Sequence, residues 1–231
     1  MPQQLSFKFI KGKRFSKRVQ SRRTIRRPQH IRLTREGLGS GLSGIVVVGR
    51  KKRGNRYIEV AVKRFRHPLK PETVEAYQKV IKKLRNAKLP LIKTEFTRYK
   101  RAWTQVMELV EDMQKVKLSH IKTPKTAYAL SKLIIEIVNT GYAPAIDSIS
   151  ATTHSGRVKF VIADIDLYAI QELHNIPQTQ KDNAIRNDLR YWFETITQGK
   201  AITREELMKN WKTQMKNEQA QRVLAQIEQG K

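Results

Sequence analysis

Three observations predict an α+β fold. A glycine-rich stretch at 37–44 leads into two runs of β-branched residues, Ile45–Val48 and Tyr57–Lys63, which read as strand, turn, strand. Apolar residues then recur at helical spacing over 71–84 and again over 126–139. A further helix is marked from Thr203, where Glu206 three residues on completes a capping box. Strands therefore dominate the first half of the chain and helices the second.

The elements are preceded by a basic arm, residues 1–33. The 231-residue chain carries 47 Lys+Arg against 20 Asp+Glu, a formal charge of +27, and the excess is uneven. Residues 1–101 hold 30 cations and 5 acids, whereas residues 102–231 hold 17 and 15. Within the first 36 residues the only acid is Glu36, and Phe7, Phe9 and Phe15 are interleaved with the cations. Such an arm gains affinity from phosphate charge and counterion release, and its aromatics can stack on unpaired bases. A solvated tail or a contact with an acidic protein fits the same composition. The expected partners are therefore nucleic acid or another polyanion at the arm, or an acidic protein.

Other chemistry is excluded early. With no cysteine there is no disulfide framework and no thiolate metal site. His30, His67, His120, His154 and His174 are too scattered to form a recognisable metal set. No run of about 18 apolar residues occurs, and the N-terminus has no apolar core of secretory type. The expectation is a soluble protein without a cleavable signal peptide or a membrane span, cytoplasmic or delivered into a host cell or virion.

Next in order comes the glycine loop. Gly39, Gly41, Gly44 and Val46 match G-x-G-x-x-G-x-V, a spacing shared by dinucleotide folds, kinases and ordinary turns. A dinucleotide fingerprint must open a helix, but Gly44 runs into a strand, the turn-like Lys51–Asn55 and a second strand. A glycine-rich flap over nucleotide phosphates asks for this arrangement, because only backbone without side chains approaches phosphate closely. The second strand ends in Val60-Ala61-Val62-Lys63, and alternation sends Ala61 and Lys63 to one face. There a small residue leaves room for a flat base and an ammonium reaches phosphate oxygens; an edge strand ending in an exposed lysine would look the same.

From these residues onward the chain resembles the protein kinase family. The helix over Pro71–Leu84 takes the place of the kinase helix C, and the resemblance implies Glu75 as the carboxylate that orients Lys63, although family spacing falls nearer Tyr77 or Gln78. Leu89–Tyr99 and Ala102–Val106 read as two further strands. Val106-Met107-Glu108-Leu109-Val110 is similar to the kinase hinge, which implies Met107 behind the adenine pocket and backbone groups of Glu108 and Val110 on the adenine edge. Beyond the helix Thr126–Asn139, Asp147 stands where the catalytic aspartate is expected and Asp164 where the metal-binding aspartate is. The match is poorer here: Ala145-Ile146 replaces His-Arg, Thr152 replaces the catalytic-loop asparagine, and Asp166 replaces glycine. Asp166 either supplies a second carboxylate for Mg²⁺ or belongs with Asp164 to an exposed acidic strand end.

After Asp166 only 65 residues remain, so the helical lobe must be truncated. Asn187–Phe193 reads either as the helix that braces the catalytic loop, with Asp188 reaching its backbone, or as a core stripe of Leu189, Trp192, Phe193 and Ile196. A last helix is expected from Thr203 through about Gln229. The resemblance implies a two-lobed protein-kinase-like fold: arm 1–33, N-lobe 34–108, reduced C-lobe 109–200 and C-terminal helix 201–231. It implies ATP and Mg²⁺ as cofactors and transfer of phosphate to Ser/Thr of a protein. Compact kinases occur among bacterial effectors and viruses, so a role in host cells follows by analogy. Two alternatives stand beside it, a pseudokinase that acts as a binding scaffold and a basic nucleic-acid-binding structural protein of a ribosome or virion.

Overall fold

The computed structural model describes residues 5–6, 31–40, 43–99, 102–110, 112–164 and 178–229, and the fold is mixed α+β. The chain forms two units, one drawn from Met1–Gln78 and Lys93–Leu109, the other from Lys79–Ile92 and Val110–Lys231. No helix among the described residues is long and apolar enough to cross a membrane.

The first unit is built on one antiparallel sheet of β1 (Leu5–Ser6), β2 (Ile31–Ser40), β3 (Gly44–Arg53), β4 (Arg56–Phe65), β5 (Thr94–Tyr99) and β6 (Ala102–Glu108). Their spatial order is β1-β2-β3-β4-β6-β5. The β3–β4 hairpin closes at Arg53↔Arg56, and its two-residue turn places Gly54 at φ +61°, where a side chain would be strained. Both strands are therefore longer than the apolar pattern predicts, and the lysines expected in the turn lie on β3. Alternation gives the sheet two unlike faces. Ile31, Leu33, Val60, Val62, Tyr99 and Val106 form an apolar cluster on one. The other carries Ala61, Lys63 and Phe65, and the first helix, α1 (Pro71–Asn86), lays Tyr77 against it in a stack with Phe65 and Phe96.

The second unit holds a three-stranded antiparallel sheet, β7 (Gln114–Lys115), β8 (Ile149–His154) and β9 (Arg157–Ile162). Around it lie α2 (Pro124–Asn139), α3 (Gln178–Gln198), α4 (Arg204–Gln214) and α5 (Glu218–Glu228). Thr123 caps α2 by accepting the Thr126 N–H, with Pro124 at the first helical position. The apolar stripes of all four helices are buried. Polar links cross this core, among them the Trp211 indole N–H, which donates to Ser131 Oγ at 2.8 Å.

Two further elements differ from expectation. The strand predicted from Leu89 begins only at Thr94, because the segment before it pairs elsewhere: Pro90 C=O accepts the Ile162 N–H at 2.8 Å and Ile92 N–H donates to Ile162 C=O at 3.1 Å. The single helix predicted from Thr203 is two. Met215 turns extended at ψ 121°, Asn217 caps a new helix through the Ala220 N–H, and the Gln221 amide donates to the Lys212 and Met215 carbonyls left bare by the break.

Candidate functional site

In the first unit, register brings together most of the residues expected to hold a nucleotide. Val46 opposes Lys63, Ala61 opposes Met107, and Gly39 opposes Val46 across β2 and β3. The hairpin that carries the glycines is tied down at its return, where Ser43 C=O accepts the Arg66 N–H at 3.0 Å. Lys63 is only 3% exposed, its ammonium 5.6 Å above the Phe65 ring, and Gln105 beside it is buried and donates to Thr94 Oγ1 at 3.2 Å. A lysine in the middle of a sheet and this deeply buried is not an exposed end-of-strand cation. Ala61 and Met107 are also buried, next to each other on the same face. Glu108 ends β6 with its N–H donated to Lys93 C=O at 2.7 Å, and Val110 follows beyond the strand.

The helix partner of Lys63 is corrected. Glu75 is exposed, and no hydrogen bond or ion pair of its carboxylate occurs among the described residues. The side chain that α1 brings to the Lys63 face is Tyr77, two positions on, whose ring centroid is 6.5 Å from Phe65. Helical spacing explains the difference, since 75 and 77 lie about 200° apart around the axis and cannot share a face.

The glycines also separate. A Cβ at Gly44 would come within 2.3 Å of Arg64 O, so this position is glycine because β4 backbone lies against it; a Cβ at Gly39 would meet nothing within 4 Å. Gly44→Ala is therefore expected to destabilise the first unit by about 1–3 kcal/mol, and Gly39→Ala by less than about 0.5 kcal/mol. Urea unfolding of the two variants checks this, and equal midpoints would refute the assignment. Gly41 lies outside the described residues.

In the second unit a short loop, 142–148, is clamped to α3. The Asp188 carboxylate accepts the Ile146 N–H, while the Trp192 indole N–H donates to Pro144 C=O at 2.6 Å. Residues 188 and 192 are one helical turn apart, so a single face of α3 supplies both an acceptor and a donor to one loop. Burial pushes the Asp188 pKa up to about 6, against the lowering effect of the Ile146 hydrogen bond. Within the loop Ser148 Oγ donates to Ala145 C=O at 2.6 Å, and Ser148 C=O accepts the Ala163 N–H at 2.8 Å. This last bond sets Asp147 and Asp164, each next in sequence to one of its partners, on two backbone segments that touch.

The two aspartates differ in setting. Asp147 is 77% exposed on its side chain and receives Lys115 Nζ at 2.9 Å. A surface pair of this kind holds its carboxylate only weakly. Asp164 follows β9, and its N–H lies 3.4 Å from Ser148 C=O. Asp166 lies outside the described residues, among which no group of three or more His, Cys, Asp and Glu gathers as a metal site. Were Mg²⁺ bound here, Asp164 would be one carboxylate able to contact it, the remaining positions falling to waters and substrate phosphates.

Sequence reasoning passed over Lys115 and the indole of Trp192. Lys115 sits on a two-residue strand with no pattern to read, whereas the i, i+4 relation of Asp188 and Trp192 was a usable signal. No protein-family model and no curated protein matches the chain.

Proposed function

We propose that the chain is a minimal, atypical protein-kinase-like protein that binds ATP and transfers its γ-phosphoryl group to Ser or Thr of a protein. The observation that carries this reading is the order of parts: a glycine hairpin, a central strand with a buried lysine, a helix whose first half belongs to the first unit, and two strands of which the second pairs beside the lysine strand. Phosphoryl transfer asks chiefly for positioning and charge stabilisation, and each part answers one need. Gly39 and the hairpin backbone cover phosphate, Lys63 binds it, and Val46, Ala61 and Met107 form the apolar surface for the base. In the second unit Asp164 would hold Mg²⁺. The acceptor hydroxyl oxygen forms the new bond to the γ-phosphorus as the bond to the β–γ bridging oxygen breaks, which releases ADP; the hydroxyl proton passes to Asp147. The clamp from Asp188 and Trp192 holds the loop that carries this base.

A second reading, a pseudokinase that binds nucleotide without turnover, is favoured by Tyr77, an aromatic where the kinase pattern places the orienting carboxylate. Incubation with radiolabelled ATP, magnesium and a Ser/Thr peptide mixture separates the two. Lys63→Ala and Asp164→Ala are expected to lower labelling by at least about a hundredfold. Equal labelling of wild type and variants would disprove transfer by these residues, and a thermal shift with ATP but no labelling would select the scaffold.

A further inference from the structure

We propose that the β3–β4 end of the six-stranded sheet is a binding surface for the phosphate backbone of nucleic acid. It rests on none of the roles assigned above. The hairpin tip reads Arg50-Lys51-Lys52-Arg53-Gly54-Asn55-Arg56-Tyr57, five cations in eight residues with no acid. Arg50 is paired with Glu59 and Lys51 with Glu95, but Lys52, Arg53 and Arg56 are exposed and make no ion pair among the described residues. The Arg53↔Arg56 pairing at the turn sets two cations directly opposite each other, a destabilising arrangement that a polyanion would relieve. Beside them Tyr57 is 42% exposed and carries the Arg32 guanidinium 5.0 Å above its ring. A cation stacked on an accessible aromatic is a platform on which a base can also lie.

Chain connectivity also bears on this end. Ser6 pairs with Arg32 and Ile31 with Lys51, so the residues on either side of 7–30 lie at the end of the sheet where the hairpin tip is. That segment contains ten Lys/Arg and no Asp/Glu. The two residues that flank it, Ser6 and Ile31, are thus held beside the exposed cations of the tip. Nucleic acid fits this better than an acidic protein does, because the cations sit on a narrow two-stranded projection suited to a groove or a strand, with an aromatic among them.

The test measures fluorescence anisotropy of a labelled 20-nucleotide single strand and of the matching duplex, from 50 to 200 mM salt. Lys52→Gln, Arg53→Gln and Arg56→Gln combined should weaken single-strand binding about tenfold at 100 mM salt and reduce the log–log salt slope by about 2. A control removing three cations of the other unit, Lys122→Gln, Lys125→Gln and Lys209→Gln, should stay within about twofold of wild type, as expected if position rather than net charge decides. The substituted side chains are all exposed, and circular dichroism checks that both variants fold. No binding by wild type, an unchanged hairpin variant, or an equal loss in the control overturns the proposal. So does poly-L-glutamate binding as tightly per charge as the oligonucleotides.

Discussion

Trp192→Ala is expected to unfold the second unit under conditions where wild type is folded. Trp192 is 1% exposed in the helical core, and removing an aromatic of this size costs about 3–5 kcal/mol through lost burial and the cavity left behind. The truncation also orphans Pro144 C=O, which adds about 1–3 kcal/mol for a buried acceptor without a donor. Total stabilities are about 5–15 kcal/mol, so the sum approaches the whole. Trp192→Phe keeps most of the ring volume and loses the donor, so it isolates the second contribution. Urea unfolding followed by far-UV circular dichroism should rank wild type, Phe and Ala in that order. A Phe variant indistinguishable from wild type would mean that the indole hydrogen bond contributes nothing.

The second large effect is a pH dependence carried by Asp188. Its folded pKa, about 6, lies above the ordinary value of 3.8. Between these values the folded state holds a proton that the unfolded state has lost, so stability falls as pH rises from about 4 to 6. The contribution is fully present below 3.8 and gone above 6. Asp188→Asn keeps an oxygen to accept the Ile146 N–H and cannot ionise, so this variant should lose that fall and match or exceed wild type at pH 7. Asp188→Ala lacks the acceptor and should be less stable than Asn by about 1–3 kcal/mol at every pH. Unfolding midpoints of the three proteins at pH 4, 5, 6 and 7 check this. Parallel profiles for wild type and Asn would remove Asp188 as the source.

The clamp shows where sequence reasoning reaches and where it stops. Periodicity located β3, β4, β6, α1 and α2 because each has a continuous apolar pattern, α1 with a marked start at Pro71 as well; the start of α2 at Pro124 was set two residues late. It missed β2, whose glycines at 37 and 39 suit a loop but are held in the sheet by cross-strand partners. It ran a strand through Pro90 because that segment is apolar, although its backbone pairs with Ile162. It joined α4 to α5 because Leu207, Trp211, Met215, Val223 and Ile227 keep a helical spacing across the break, and local capping by Asn217 outweighed that period. For α3 the choice between a core stripe and a loop brace was a false one. A tryptophan can bury its ring and still donate from its nitrogen, and Trp192 does both.

In the site, residues that act through strand alternation were the easiest to place from sequence. Ala61 and Lys63 share a face by parity alone, and Met107 joins them once the β4–β6 register is known. Glu75 was chosen by residue type, but the 3.6-residue period of α1 turns it away and presents Tyr77. Chemistry suggested the acid, and helix geometry overruled it.

The Ile162 pairing also decides how the polypeptide can be divided. Leu91 and Ile92 lie alongside β9 in parallel, within the same unit as α2 to α5, although the whole of β5 and β6 separates them from it in sequence. A fragment beginning at Val110 would keep every helix from α2 onward and still leave Ile162 N–H and C=O bare along an open strand. Such an edge is a template for other chains. The second unit is thus discontinuous in the gene, and a truncation that follows sequence order would trade a folded half-protein for a sticky one.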